Sequence, residues 1–234
     1  MSAMSPQRRF DAALLDLDGT LLDTGEDLAL AANRMLNALG LPLQPTAQLT
    51  IYIGKGLTRL VHRTLTGDMH ADAEPGLFAR AMPLYEKYYA AGSGDTARIY
   101  PGVIEGLEAF RAAGVKLAVV TNKTTRFTGV LLEKVGLDRW FELVVCGDTL
   151  ARRKPDPLPF THACDVLGVT PARSLVIGDS ANDIDAGRAA GCAVYCVPYG
   201  YREGKSVESL GADRIVASLA DAATHAIGAG SPRG

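Results

Sequence analysis

The chain has 234 residues, of which 47% are hydrophobic and 21% charged, and its formal net charge is −2. This near-neutral charge without basic runs, and the absence of an apolar run of roughly 20 residues, argue against nucleic-acid and membrane partners. The length allows one large domain or one domain with an insertion, and four cysteines without a C-x-x-C pair fit a reducing compartment, so we expect a cytoplasmic protein.

Short apolar runs alternate with amphipathic helical patterns along most of the chain. Near-continuous apolar runs are typical of parallel strands that are buried on both faces. Such runs predict strands at residues 12–15, 115–120, 143–146, 174–177 and 193–197. Because helical patterns lie between these strands, we predict an α/β fold with a doubly wound parallel sheet.

One long interval interrupts this rhythm. From about residue 24 to residue 99 the sequence shows only helical patterns, with helices predicted near 28–39, 57–65 and 76–90. Stretches that contain glycine and proline bound these pieces. We therefore predict an α/β core formed by residues 1–23 and 96–234, and an all-helical cap, residues 24–95, inserted after the first strand.

Four polar segments follow predicted strands, which is where open α/β sheets bind ligands. The first contains Asp16 and Asp18, whose side chains would face the same way if the strand continued. A carboxylate can attack phosphorus directly and divide a hydrolysis into two easier steps. A second carboxyl group can protonate the leaving alkoxide and later activate water. Asp16 fits the first role and Asp18 the second, although either aspartate alone is better explained as a turn or helix-cap residue.

The second and third segments offer groups that bind phosphate. Thr121 and Asn122 carry neutral hydrogen-bond donors, but as an isolated pair they are equally typical of a helix cap. The next residue, Lys123, is either an anion-binding group or a solvated charge. Lys154 lies in a segment made rigid by prolines, so its ammonium group is the best placed to neutralise nucleophile and phosphoryl charge.

The fourth segment places Asp179 and Asp183 after a further strand. Closely spaced acidic residues suit a hard divalent cation with oxygen ligands. We predict Mg²⁺ bound by Asp16, Asp179 and a backbone carbonyl, with Asp183 either as a ligand or as the holder of a metal-bound water. The cation would also screen repulsion between the nucleophile and an anionic ester.

The predicted cap contains three cations that recur every four residues: Lys55, Arg59 and Arg63. This spacing allows them to share one helix face, although helix-surface charges are usually solvated. Lys55 is the strongest candidate for substrate binding, because its two flanking glycines let backbone N–H groups approach an anion.

Taken together, the four polar segments resemble the motifs of the haloacid dehalogenase-like hydrolase superfamily, in the order DLDGT, VVTNK, RKPDP and GDSANDIDAG. The resemblance implies a Rossmann-like core with a helical cap inserted after the first motif. It also implies that Asp16 is the nucleophile, Asp18 the general acid/base and Asp179 the metal-binding acid, with the backbone carbonyl of Asp18 as a further ligand. Thr121 and Lys154 stand at the positions of the family's motif-two threonine and its lysine.

Within this superfamily, residues 10–226 resemble the family of bacterial phosphoglycolate phosphatases, through runs such as LLDTGEDLALAANRML, IGKGLTRLVHRTLTG and GDTLARRKPDP. This implies a Mg²⁺-dependent phosphomonoesterase, a monomer or homodimer, that hydrolyses 2-phosphoglycolate through an aspartyl-phosphate intermediate. Lys55 departs from the asparagine that is common there. A sugar phosphate or N-acetylmuramate 6-phosphate therefore stays open as the substrate.

Three other functions compete with this interpretation. A dehalogenase would not need Asp18, because halide leaves without a proton. A phosphomutase of the same superfamily stays open, since the substrate contacts of the cap decide that case. A non-catalytic ligand-binding or scaffold protein should have lost at least one motif, and none is missing.

Overall fold

The apolar runs form two sheets in the computed structural model, which describes residues 9–227. The strands are β1 (Ala12–Leu15), β2 (Leu22–Asp23), β3 (Arg98–Ile99), β4 (Lys116–Val120), β5 (Leu143–Val145), β6 (Ser174–Gly178), β7 (Ala193–Cys196) and β8 (Arg214–Ile215). Six of them form one parallel sheet in the order β5-β4-β1-β6-β7-β8. Strands β2 and β3 form a separate antiparallel ribbon.

Helices cover the sheet and fill the interval between β2 and β3. They are α1 (Gly25–Ala38), α2 (Thr46–Ile51), α3 (Gly56–Thr66), α4 (Pro75–Gly92), α5 (Val103–Ala112), α6 (Thr125–Lys134), α7 (Leu158–Leu167), α8 (Ala181–Ala189) and α9 (Leu219–Ile227). No helix among residues 9–227 is both long and apolar enough to cross a bilayer.

The central strands are buried because both faces of the parallel sheet carry helices. Side chains alternate between the faces along each strand. On β1, Leu15 packs on one face with Phe110 of α5, whereas Leu14 packs on the other with Phe160 of α7. The predicted doubly wound α/β core is therefore confirmed.

The helices α1 to α4 form a cap with a hydrophobic core of its own, which includes Met35, Tyr85 and Tyr89. Phe127 of the core helix α6 joins this cluster, and its ring lies 5.0 Å from that of Tyr89 between centroids. The predicted helical cap is thus confirmed, while its exact limits at residues 24 and 95 stay a prediction. Parts of the predicted core domain, residues 1–8 and 228–234, lie outside the described residues.

Some short elements were missed by the sequence prediction. Helix α2 has six residues and buries only Leu49, so it leaves almost no periodic signal. The ribbon and β8 have two residues per strand, which is too short for an alternating pattern. The strand predicted at 193–197 ends at Cys196, one residue early.

Candidate active site

Three of the four polar segments meet at the carboxyl edge of neighbouring strands. Strand β1 lies between β4 and β6, and Asp16, Thr121 and Asp179 are the residues that follow these strands. The backbone N–H of Asp16 continues the β1–β6 pairing by donating to Ile177 O at 3.0 Å. Parallel pairing thus brings residues that are distant in sequence to one point. This point is the topological switch point of the sheet, at which the strand order reverses.

The remaining segment, the third in chain order, reaches the same point through Lys154. Its ammonium group donates to Asp16 Oδ1 at 2.8 Å, to Asp183 Oδ1 at 2.6 Å and to the Val120 carbonyl at 2.7 Å. Burial alone would lower the pKa of Lys154, but the carboxylates of Asp16 and Asp183 outweigh burial and raise it. Lys154 is therefore a fixed cation whose three donors are all engaged.

Two other groups orient the carboxylate of Asp183. Ser180, the N-cap of α8, donates its hydroxyl to Asp183 Oδ2 at 2.7 Å, and the Ser180 backbone N–H donates to the same oxygen at 3.2 Å. This capping box begins the helix and fixes Asp183 below the site. Because Lys154 binds the other oxygen, both sides of this buried carboxylate are occupied.

Asp179 is held from a different direction. The hydroxyl of Thr20 donates to Asp179 Oδ1 at 3.2 Å, and the backbone N–H of Tyr201 donates to Oδ2. Gly19 packs directly on this carboxylate with φ of +89°, and a Cβ atom there would collide with it. The glycine of the first motif is thus required by the close approach of two strand ends.

The three aspartates Asp16, Asp179 and Asp183 bring buried carboxylate oxygens within 4.8 Å of one another. Burial raises the pKa of Asp16 to about 6, although Lys154 opposes this shift. Burial, together with the charges of Asp16 and Asp183, also raises the pKa of Asp179 well above its ordinary value. One lysine does not balance three carboxylates, so this all-oxygen donor set fits a hard divalent cation.

Asp18 lies in a separate ion pair. Its carboxylate accepts from Lys123 Nζ at 2.8 and 2.9 Å and from the Thr24 hydroxyl at 2.7 Å. Burial would lower the pKa of Lys123, but the Asp18 carboxylate and Tyr89 raise it overall. Asp18 is therefore oriented by one group from the second strand segment and one from the start of the cap.

Two core asparagines contact the cap loop. Asn122 donates its amide to Gly54 O at 3.2 Å and to Lys154 O at 3.0 Å, while Asn182 donates to Gly54 O at 3.3 Å. The predicted phosphate-binding amide of Asn122 is thus engaged with two carbonyls in this conformation. Thr121 lines the adjacent cavity, and its hydroxyl oxygen accepts from the Lys123 backbone N–H at 3.1 Å.

A partly open cavity lies between the core and the cap. Asp16, Asp18 and Lys154 lie on its core side. Its cap side is formed by apolar residues and by the glycines on either side of Lys55: Leu28, Ile53, Gly54, Gly56, Leu57 and Leu60. The site therefore combines charged core groups with a mostly apolar roof, a combination common in small-molecule sites.

The three predicted cap cations do not line this cavity. Lys55 is absent from its lining, and Arg59 pairs with Asp72 at 3.0 Å on the surface. Arg63 is 1% exposed, lies 2.8 Å from Glu203 and donates to the Tyr52 carbonyl at 2.9 Å. The regular four-residue spacing thus does not produce a common substrate-facing surface.

Several residues of the site were not assigned a role by the sequence. Thr24 carried a weak signal, because it lies six residues after Asp18, and its hydroxyl donates to the Asp18 carboxylate. Asn182 carried a signal through its place in the fourth motif. No signal in the sequence indicated the pairing of Lys123 with Asp18, because this pairing depends on how the second motif turns after β4.

Comparison with known proteins shows the family. Residues 13–197 match the family model described as haloacid dehalogenase-like hydrolase. A phosphoglycolate phosphatase of Thiobacillus denitrificans is 52% identical over 212 residues, 91% of this chain and 93% of that protein. One of Nitrosospira multiformis is 51% identical, over 90% and 93% of the two chains. The crystal structure of a predicted phosphoglycolate phosphatase from Haemophilus somnus aligns with a TM-score of 0.86 at 34% identity, over 92% of this chain and 97% of the other.

Proposed function

Because the chain belongs to the haloacid dehalogenase-like hydrolases, we propose that it is a Mg²⁺-dependent phosphatase of 2-phosphoglycolate. The single observation that carries this proposal is the buried contact of 2.8 Å between Asp16 and Lys154, beside Asp18, in a cavity at the sheet edge. The family supports phosphomonoester hydrolysis, and the names of the two relatives above 50% identity support this substrate.

The proposed reaction has two steps at Asp16. In the first, an Asp16 carboxylate oxygen bonds to phosphorus, the ester P–O bond breaks, and Asp18, which enters this step as the neutral carboxylic acid, gives its proton to the leaving oxygen and becomes a carboxylate. In the second, Asp18 takes a proton from water, whose oxygen attacks phosphorus and releases phosphate and the free Asp16 carboxylate. These two steps require both carboxyl groups to reach the substrate, and Asp16 and Asp18 both line the cavity.

Other core residues hold the charges of this reaction in place. The Lys154 ammonium neutralises the nucleophile before attack and faces the phosphoryl group during it. Thr121 lines the cavity with a hydroxyl that can donate to a phosphate oxygen. The cap walls exclude bulk water, which strengthens these interactions.

Asp16, Asp179 and the backbone carbonyl of Asp18 would hold Mg²⁺, with Asp183 behind them. When bound, the cation would neutralise the crowded carboxylates and the phosphoryl oxygens. The contacts of Asp183 with Lys154 and Ser180 favour an outer role for this residue, because both of its oxygens are engaged. Cytoplasmic location and a monomeric or homodimeric state stay predictions.

A substrate panel tests this function. We expect 2-phosphoglycolate to give a higher kcat/KM than sugar phosphates or N-acetylmuramate 6-phosphate, with activity lost in EDTA and restored by Mg²⁺. If every phosphomonoester were stable, the proposed activity would be wrong. If 2-phosphoglycolate ranked low among hydrolysed esters, the phosphatase assignment would stand and the substrate would change.

A further inference from the structure

Among the described residues that line the cavity, the cationic side chains are those of Lys123 and Lys154. Lys154 uses its three donors on Asp16, Asp183 and a backbone carbonyl. It therefore lies on the nucleophile side and serves the phosphoryl end of a substrate. Lys123, which donates to both oxygens of Asp18, is the second cation of the lining and lies on the Asp18 side.

The position of Lys123 is fixed by the residues around its ammonium group. Both Asp18 oxygens lie within 2.9 Å of Nζ, and the ring centroid of Tyr89 lies 5.0 Å away. The residue is only 3% exposed, so its charge is desolvated, and it has no ionised partner among the described residues when Asp18 carries the proton for the leaving oxygen. Lys123 thus lies one hydrogen bond beyond the carboxyl group that faces the leaving oxygen.

The cap offers no competing cation at this position. The cap residues that line the cavity are apolar residues and glycines, among them Leu28 and Leu57, while Arg59 and Arg63 are paired elsewhere. The amino-terminal residues of α3, Gly56 and Leu57, line the same cavity, so the helix dipole adds a favourable field for an anion.

We propose that Lys123 is the specificity-determining residue of this enzyme and binds the carboxylate on the leaving-group side of the substrate. This inference rests on the proposed function and deepens it. In 2-phosphoglycolate a single methylene separates the ester oxygen from the carboxylate carbon. A cation hydrogen-bonded to Asp18 is therefore within reach of that carboxylate when Asp18 faces the ester oxygen.

The test compares two substrates that differ in this group. 2-Phosphoglycolate carries the carboxylate, whereas 2-hydroxyethyl phosphate has a neutral hydroxymethyl group instead. In Lys123→Met we expect the ratio of kcat/KM for the two substrates to fall by roughly 10- to 100-fold, the effect of losing one hydrogen bond to a charged group. The ratio cancels losses common to both substrates, including any change in the position of Asp18.

Matched variants identify the cause of the change. Lys123→Arg keeps the charge, so we expect it to retain more of the ratio than Lys123→Met. Lys87→Met makes the same substitution on an exposed position of α4 and should leave the ratio unchanged. Equal losses of kcat/KM on both substrates in Lys123→Met would assign Lys123 to positioning Asp18 alone and would overturn the proposal. The proposal would also be overturned if the ratio fell in Lys55→Met and stayed unchanged in Lys123→Met.

A binding measurement separates this proposal from the proposed function. In the Asp16→Asn background, calorimetry should show 2-phosphoglycolate binding at least 10-fold more weakly when Lys123→Met is added, and 2-hydroxyethyl phosphate binding unchanged. If the wild-type enzyme does not prefer 2-phosphoglycolate in turnover, the proposed substrate fails, while this binding comparison still decides on Lys123. If Asp16→Asn bound 2-phosphoglycolate with the same affinity with and without Lys123→Met, the carboxylate contact would be refuted.

Discussion

The core and the cap contribute surfaces of opposite character to one cavity. The core side holds buried charges that bind one another, with Lys154 between Asp16 and Asp183. The cap side holds aliphatic residues such as Leu57 and Leu60, and its cations point elsewhere. In the proposed mechanism the core therefore supplies the reacting groups, and the cap supplies enclosure and shape.

This difference follows from how the two regions are built. Asp16, Thr121 and Asp179 directly follow buried parallel strands, so the pairing of these strands fixes their positions. Polar contacts between the cap and the core include the hydrogen bonds from Asn122 and Asn182 to Gly54 O and the Arg63–Glu203 pair. The contacts of Lys154 with Asp16 and Asp183 lie wholly within the core, so opening of the cap would not by itself break them.

The largest effect should come from the core nucleophile. In Asp16→Asn we expect kcat on 2-phosphoglycolate to fall by roughly 10⁴-fold or more, as in other enzymes that lose their nucleophile. Asp185→Asn, the same change on the exposed face of α8, should stay within about twofold. Steady-state kinetics on both proteins, with circular dichroism to check folding, measures this. Comparable activity in the two variants would contradict the proposed role of Asp16.

A second test compares a buried ion pair with an exposed one. Lys154→Met leaves buried carboxylates without their cation and should lower the free energy of unfolding by about 3–5 kcal/mol. Lys134 and Asp95 pair at 2.6 Å but are 42% and 61% exposed, so Lys134→Met should cost at most about 1 kcal/mol. Urea denaturation in EDTA gives both values. If the two substitutions lowered the free energy of unfolding equally, the buried contacts of Lys154 would contribute no more to stability than the exposed Lys134–Asp95 pair.

The metal-free core should lose stability as the pH rises. An aspartate with a pKa of about 6 in the folded state and about 3.8 when unfolded binds protons more tightly when folded. The stabilisation is complete at low pH and is lost between about pH 4 and pH 6, an effect on the order of 2–3 kcal/mol.

Denaturation curves across this range check the sign. Asp16→Asn removes the titrating group. In EDTA, its free energy of unfolding should therefore fall less steeply with rising pH than that of the wild type. Mg²⁺ should stabilise the wild type more at pH 7.5 than at pH 5, because the carboxylates that bind it are ionised there. A wild-type curve parallel to that of Asp16→Asn would exclude the raised pKa.

The smallest effect should come from the cap contact. Asn182→Ala removes one hydrogen bond to Gly54 O, worth about 1 kcal/mol. We expect kcat/KM to fall about fivefold, mainly through KM, because the closed cap is less populated. Arg59→Ala, which breaks a surface pair within the cap, is the control and should change neither parameter. A loss in kcat alone would instead place Asn182 in the chemistry.

The sequence predicted the core better than the cap for a physical reason. Buried parallel strands leave apolar runs, and the residues after them must meet at one edge, so the juxtaposition of Asp16, Thr121 and Asp179 could be predicted. The cap helices follow a period of 3.6, which defines an apolar face but not what the polar face contacts. The burial of Arg63 against Glu203 depends on tertiary docking, and the sequence carries no local signal for it.

The polar contacts around Asp18 were hidden for the same reason. The first motif predicted the residue itself, but its partners Lys123 and Thr24 come from a different strand and from the start of the cap. The spacing of these residues along the chain does not predict such tertiary contacts. Only the way in which the second motif turns after β4 brings the Lys123 ammonium onto Asp18.

The most direct test of the core's role is a search for the covalent intermediate. During turnover of 2-phosphoglycolate, rapid acid quench followed by mass spectrometry should find one phosphoryl group on the peptide that contains Asp16, and none in Asp16→Asn. Label on a different residue, or turnover without any phosphorylated enzyme together with an active Asp16→Asn protein, would contradict the account.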